Sequence, residues 1–184
     1  MIKTSFRMFF LMSLITGVIY PLVLVFCSFI LSKDPFIYHL DRKIGAQLIG
    51  QSFEHPRYFL GRPSVSNYNP LIPGSSNLGA TSKALRKRVA LRNEELKIIY
   101  GQPHTSEELL FTSASGLDPH ISQETALYQA EKIARSRDID LAEIKKLIEQ
   151  HTTTSFLSFF AKPYVNVLLL NLALDNLSFQ KEMP

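Results

Sequence analysis

The residues best suited to chemistry lie in two polar stretches. In the first, Gly74, Gly79 and Thr81 fall at the glycine and hydroxyl positions of a phosphate-binding loop, G-x-x-x-x-G-K-[ST], in which backbone amides cradle phosphate and a lysine neutralises it. Ala80 stands where that lysine is required, and no buried apolar strand precedes Gly74. The stretch therefore predicts no nucleotide hydrolysis; a glycine and asparagine loop that needs positive φ is the simpler reading. In the second stretch, Ser115, Asp118 and His120 offer a nucleophile, an acid and a base close together. A hydrolytic serine, however, needs a base brought by packing from elsewhere in the fold, and G-x-S-x-G is absent. Asp118-Pro119 reads more simply as a turn feeding a helix start.

Metal chemistry finds no support either. His39, His55, His104, His120 and His151 are scattered without a spacing such as H-E-x-x-H. Cys27 is the only cysteine and lies inside an apolar run, which rules out an intramolecular disulfide and a cysteine zinc site. Gln129 follows its helix cap by two turns, where a glutamine normally faces solvent.

These groups must be positioned by the rest of a 184-residue chain. From Met8 to Leu31 there is no charged residue, and at 1.5 Å per residue that run makes a helix of about 36 Å, enough to cross a hydrocarbon core of about 30 Å. It is too long for a signal-peptide core and lacks a small-residue cleavage site before Lys33 and Asp34. Pro21, after Gly17, predicts a kink that a neighbouring helix would cover. Lys3 and Arg7 on an acid-free tail place residues 1–7 in the cytoplasm, despite Lys33, Asp34, Asp41, Arg42 and Lys43 beyond the span. Residues 32–184 then form a single extracytoplasmic domain held together by packing alone. With net charge +4, the basic run Lys83, Arg86, Lys87, Arg88 and Arg92 reads as a solvated helix face, and no nucleic-acid partner is expected.

Within that domain, Ile44–Phe53 reads as a strand or a strand and turn, followed by a short apolar piece at Tyr58, Phe59 and Leu60. Gly61–Thr81 is a long ordered loop in which Arg62, Tyr68, Leu71 and Ile72 supply packing groups. Ser82 caps a helix to about Ile99 with Leu85, Val89 and Leu96 inward, ended by Gly101 and Pro103. Leu109–Phe111 reads as a short buried strand. Ser122 caps a helix with Ala126, Leu127, Ala130, Ile133 and Ala134 at helical spacing, and Asp140 with Glu143 starts another bearing Ile144, Leu147 and Ile148. Tyr164–Leu174 reads as a central strand buried on both faces. The fold class is an α/β (or α+β) soluble domain, a sandwich of elements, anchored by one N-terminal transmembrane helix.

Six segments, in order, carry a family resemblance: LIGQSF from Leu48, YFLGRPS from Tyr58, GSSNLGAT from Gly74, SASGLDPHIS from Ser113, ALYQAEKIARSR from Ala126 and VNVLLLNLALD from Val165. With the N-terminal span they closely resemble the C subunits of bacterial Kdp-type potassium-transporting ATPases. The chain departs at FFAKPYVNV, where the family more often has Gly and Arg.

The resemblance implies a non-catalytic inner-membrane subunit working with a potassium-conducting subunit, a P-type catalytic subunit and a small single-helix subunit. The chain itself has neither a D-K-T-G phosphorylation motif nor a filter-like sequence. It implies roles in assembly and stability and in raising the catalytic subunit's affinity for ATP, with no cofactor of the chain's own and Gln129 as the nucleotide-contact candidate. An external domain would instead shape the potassium entrance through Arg62, Asn77, Ser115 and Asp118. Pro63, Gly74, Gly79, Gly116 and Pro119 join these as subunit-contact or loop-structuring candidates. A membrane-anchored periplasmic hydrolase and a free-standing solute-binding domain are the alternatives.

Overall fold

The structure is a computed structural model that describes residues 2–31, 35–39, 42–53, 56–72, 74–102, 104–154 and 162–182. Lys33, Asp34, Asp41, His55 and Pro103, and with them the sequence readings they carried, lie outside these residues. The chain divides into two compact units, Met1–Phe36 and Ile37–Pro184.

The first unit is one helix of 30 residues, Ile2–Leu31, long and apolar enough to cross a membrane. Two α segments, α1 (Ile2–Leu14) and α2 (Tyr20–Leu31), flank a π turn at Ile15–Ile19. The Tyr20 N–H bonds Ile15 O across five residues, directly before Pro21. Proline has no N–H and its ring crowds the preceding turn, and a widened turn accommodates both defects. Thr16 Oγ1 adds a bond to Met12 O at 2.7 Å.

The second unit mixes helices with small sheets. A two-stranded sheet pairs β1 (Phe36–His39) with β2 (Arg42–Ala46). Next come α3 (Lys83–Tyr100), the single turn α4 (Glu107–Leu110), β3 (His120–Ser122), α5 (Gln123–Arg137) and α6 (Leu141–Gln150). They are followed by β4 (Thr152–Thr153), β5 (Tyr164–Asn166) and α7 (Val167–Glu182). The sheet order is β3-β5-β4, with both pairs antiparallel and Ile121 opposite Val165. A core of Ile121, Ala126, Ala130, Ile133, Ile144, Ile148, Val165, Leu170 and Leu174 joins α5, α6 and α7 to this sheet, with Phe59 inserted from the irregular segment.

The helix starts follow their caps. Ser82 Oγ accepts from the Leu85 N–H, Ser122 Oγ from Thr125 and Asp140 Oδ1 from Ala142, while Gly101 ends α3 in the left-handed region. Lys83, Arg86, Lys87 and Arg88 face outward as expected. Arg92 does not: half-buried, it donates to Leu110 O at 3.0 Å, and burial lowers its pKa.

Two expected strands are helical. Leu109 and Leu110 belong to α4. Of Tyr164–Leu174, only the first three residues extend; from Val167 the chain is α7. In a uniformly apolar run strand and helix periods cannot be separated, but Val167, Leu170, Asn171 and Leu174, all buried, stand at i, i+3, i+4 and i+7. Asn166 Oδ1 accepts from the Leu169 N–H at 3.1 Å, the capping bond that starts this helix.

Candidate functional site

Tyr58–Leu60 belongs to no strand; side-chain amides bond its backbone instead. Asn171 Oδ1 accepts from Phe59 N–H at 2.8 Å and its Nδ2 donates to Phe59 O at 3.0 Å. One residue on, Gln129 Oε1 accepts from Leu60 N–H at 2.7 Å and Nε2 donates to Leu60 O at 3.1 Å. A primary amide carries the donor and acceptor of a peptide group, so each of these side chains mimics a strand partner. Tyr100, whose hydroxyl burial pushes above its usual pKa, donates to the same Gln129 oxygen at 2.9 Å. Arg137 finishes the clamp: Nε donates to Arg57 O at 2.8 Å, the guanidinium pairs with Asp175 at 2.7 Å, and it lies over the Tyr58 ring. Gln129 is 0% exposed, which corrects the solvent-facing expectation. Its amide is spent on the backbone.

Leaving this clamp, the chain enters the first polar stretch, which interlocks with the second. Arg62 meets Asp118 at 3.7 Å and reaches Thr112 O at 3.4 Å. Pro63 O accepts from Ser113 N–H, and the Gly74 N–H donates to Ser115 O at 2.9 Å. Tyr68 donates its hydroxyl to Arg62 O. From the preceding turn, Gly50 N–H donates to Leu117 O at 2.7 Å, while Pro119 O accepts from Val167 N–H at the start of α7. Gly116, buried at φ +69°, leaves no room for a side chain: a Cβ would lie 2.6 Å from Gly74 O and 3.2 Å from Ser66 Oγ.

Of the sequence candidates, Arg62, Pro63, Gly74, Ser115, Gly116, Asp118 and Pro119 are thus brought together. Asn77 and Gly79 are not; among the described residues the Asn77 N–H donates to Ser75 Oγ within its own loop, and Gly79 O accepts from Ser82 N–H. The positive φ expected of this glycine and asparagine loop is found at Asn77, φ 50°, and not at Gly74 or Gly79, and earlier in the long loop at Asn67 and Tyr68, φ 52° and 57°. Two adjacent non-glycine residues in that region are strained. The strain turns the chain into Asn69–Ile72, where Asn69 O accepts from Ile72 N–H. Leu71 and Ile72 do not pack as expected; they stand 88% and 68% exposed.

The catalytic arrangements do not form. Ser115 Oγ is engaged by Leu117 N–H, while His120 faces Asp118 at 3.4 Å and the Tyr164 ring. Among the described residues no group of His, Cys, Asp and Glu could hold a metal ion.

The loop lock titrates. The side-chain bond from His120 does most to hold the Asp118 carboxyl below its ordinary value; burial opposes, and the His120 N–H and Arg62 assist. Glu108 is likewise lowered: burial raises it, but bonds from Ser122 N–H and the Thr125 hydroxyl, both 2.7 Å, prevail. A carboxyl with a lowered folded pKa stabilises above its unfolded value, about 4, and loses that contribution as pH falls through the folded one. Urea midpoints in detergent are therefore expected to drop on acidification below about pH 4, less steeply in Asp118→Asn. An equal slope in both proteins would remove Asp118 from the lock.

The fold is thus a mixed helix-and-sheet domain that follows one long apolar N-terminal helix, with its two polar loops interlocked. A family model described as K+-transporting ATPase, c chain (KdpC), matches residues 2–176. The potassium-transporting ATPase KdpC subunit of Pectobacterium atrosepticum is 41% identical over 191 residues, covering 100% of this chain and 98% of its own length. Those of Serratia proteamaculans and Dechloromonas aromatica are 40% and 39% identical, covering 96% and 97% of this chain and 98% of each relative. The chain belongs to the KdpC family.

Proposed function

We propose that this C subunit of a potassium-transporting ATPase serves the pump as a docking element: one membrane helix holds the domain at the bilayer, and the interlocked loops present Leu71 and Ile72 to the other subunits. The observation that carries this is the lock itself. Arg62–Asp118, Gly74–Ser115 and the closed space at Gly116 make a rigid platform, and from it two large apolar side chains project into solvent. A rigid patch with apolar anchors loses little entropy on binding. Its partners are the potassium-conducting subunit, the P-type catalytic subunit and the small single-helix subunit, with chemistry and ion selection carried by those chains.

Lys3 and Arg7 before the span favour a cytoplasmic N-terminus and a domain on the extracytoplasmic face of a bacterial inner membrane, at the potassium entrance. Gln129 is architectural in this reading, because contact with ATP would require releasing Leu60 and Tyr100. The test is labelling by a membrane-impermeant thiol reagent at Lys181→Cys in a Cys27→Ser background, in intact spheroplasts. Labelling with co-purification of the other pump subunits is the expected result. Protection until the membrane is opened would reverse the orientation and return Gln129 to consideration as a nucleotide contact.

A further inference from the structure

The outward face of α3 is built against its own helix dipole. Four basic residues, Lys83, Arg86, Lys87 and Arg88, occupy its first two turns, all exposed, with no acidic residue in the first turn. Cations at this positive end destabilise a helix. No side-chain hydrogen bond or ion pair among the described residues engages any of the four. With Arg92 and Lys97 against Glu94 and Glu95, this one helix carries a net charge equal to the +4 of the whole chain. Lys83, Lys87, Leu91, Glu94 and Ile98 share one face at helical spacing; Leu91 is 56% and Ile98 83% exposed, and Glu94 is held by Lys97 at 3.2 Å. Basic residues beside exposed aliphatics on one helical face are the composition of an interfacial helix.

We propose that this face of α3 binds anionic lipid headgroups of the membrane in which the chain is anchored. The tether supports lipid as the occupant. The membrane helix ends at Leu31 and β1 begins at Phe36, a gap that an extended chain spans with at most about 18 Å, so the tether keeps the domain at a high effective concentration of headgroups. The lysines and arginines supply long-range attraction that salt screens; Leu91 and Ile98 supply apolar contact that salt does not. The proposal rests on the anchor and is independent of docking through Leu71 and Ile72.

The test uses the full-length chain, Cys27→Ser, with a fluorophore on Ala84→Cys, an exposed position. It is reconstituted in vesicles of phosphatidylcholine alone or with about one-third phosphatidylglycerol, all containing a headgroup-nitroxide lipid quencher. The headgroup-associated fraction is expected to rise with phosphatidylglycerol and to fall about five-fold at low salt for each charge removed in the series Lys83→Gln, Arg86→Gln, Lys87→Gln and Arg88→Gln. High salt is expected to abolish the phosphatidylglycerol effect, and Leu91→Ser with Ile98→Ser to weaken association at every salt. Equal quenching in both vesicles, or an effect that survives the fourfold substitution, overturns the proposal. Shielding that appears only when the other pump subunits are added overturns it too, assigning the face to an acidic protein surface. Loss of the chain from vesicles on alkaline extraction removes the anchor, and the proposal with it. All substituted side chains are exposed, so an unchanged urea midpoint separates a binding defect from misfolding.

Discussion

Gln129→Leu is expected to destabilise the domain by roughly 2–5 kcal/mol, because it strips the Leu60 N–H and O and the Tyr100 hydroxyl of their shared partner at once, and an unsatisfied group costs about 1–3 kcal/mol when buried. The size of the side chain barely changes, so the loss is one of hydrogen bonds and not of packing. Leu60 N–H and O, both part-buried, would be left facing an apolar side chain in place of the fully buried Gln129 amide. Asn171→Leu should act alike on Phe59. The double variant should lose less than the sum, because the two clamps hold adjacent residues and share one segment. Urea unfolding in detergent, followed by tyrosine fluorescence, measures this. A Gln129→Leu midpoint equal to wild type would mean that the amide is not a structural clamp and would reopen the nucleotide role.

Gly116→Ala is the second large effect expected, a loss of roughly 2–4 kcal/mol. Two causes add. At φ +69° an L side chain is itself strained, and the new Cβ would meet the carbonyl oxygen of Gly74 at 2.6 Å, a backbone atom of a residue whose N–H is tied to Ser115 O. Opening the two loops to relieve the overlap would break that bond and the Arg62–Asp118 contact. Gly79→Ala is the control. Nothing lies within 4 Å of its added Cβ and its φ is not left-handed, so it should leave stability unchanged or raise it by a few tenths of a kcal/mol through the unfolded chain. Similar losses at both glycines would show that Gly116 serves only local flexibility.

The parts of the fold that sequence made legible are those with local chemical causes. Ser82, Ser122 and Asp140 cap helices because their oxygens reach N–H groups two or three residues on, and Gly101 ends one because it takes a left-handed turn. The long apolar helix, Ile2–Leu31, follows from an uncharged run. What stayed hidden depends on distant residues. Nothing local says that Gln129 turns inward: its partner, Leu60, is 69 residues away, and Asn171 answers Phe59 across 112. The helix in VNVLLLNLALD hid because apolar residues fill every face, although Asn166 as cap and Asn171 at the buried spacing were signals in plain view. In the site, two polar loops were legible, and of the expected group Arg62, Asn77, Ser115 and Asp118, all but Asn77 come together. The rank among the glycines was not, because it is set by how closely Gly116 approaches Gly74 and not by the residue type.

The central claim, that the locked loops dock on the pump through their exposed tip, is tested most directly by quantifying the other pump subunits recovered with a tagged full-length chain carrying Leu71→Asp and Ile72→Asp. Both side chains are exposed and make no core contact, so folding should persist with an unchanged urea midpoint. Recovery of the potassium-conducting and catalytic subunits is expected to fall about ten-fold or more, the loss of one modest apolar anchor cluster. Full recovery of both subunits by a normally folded variant would contradict it.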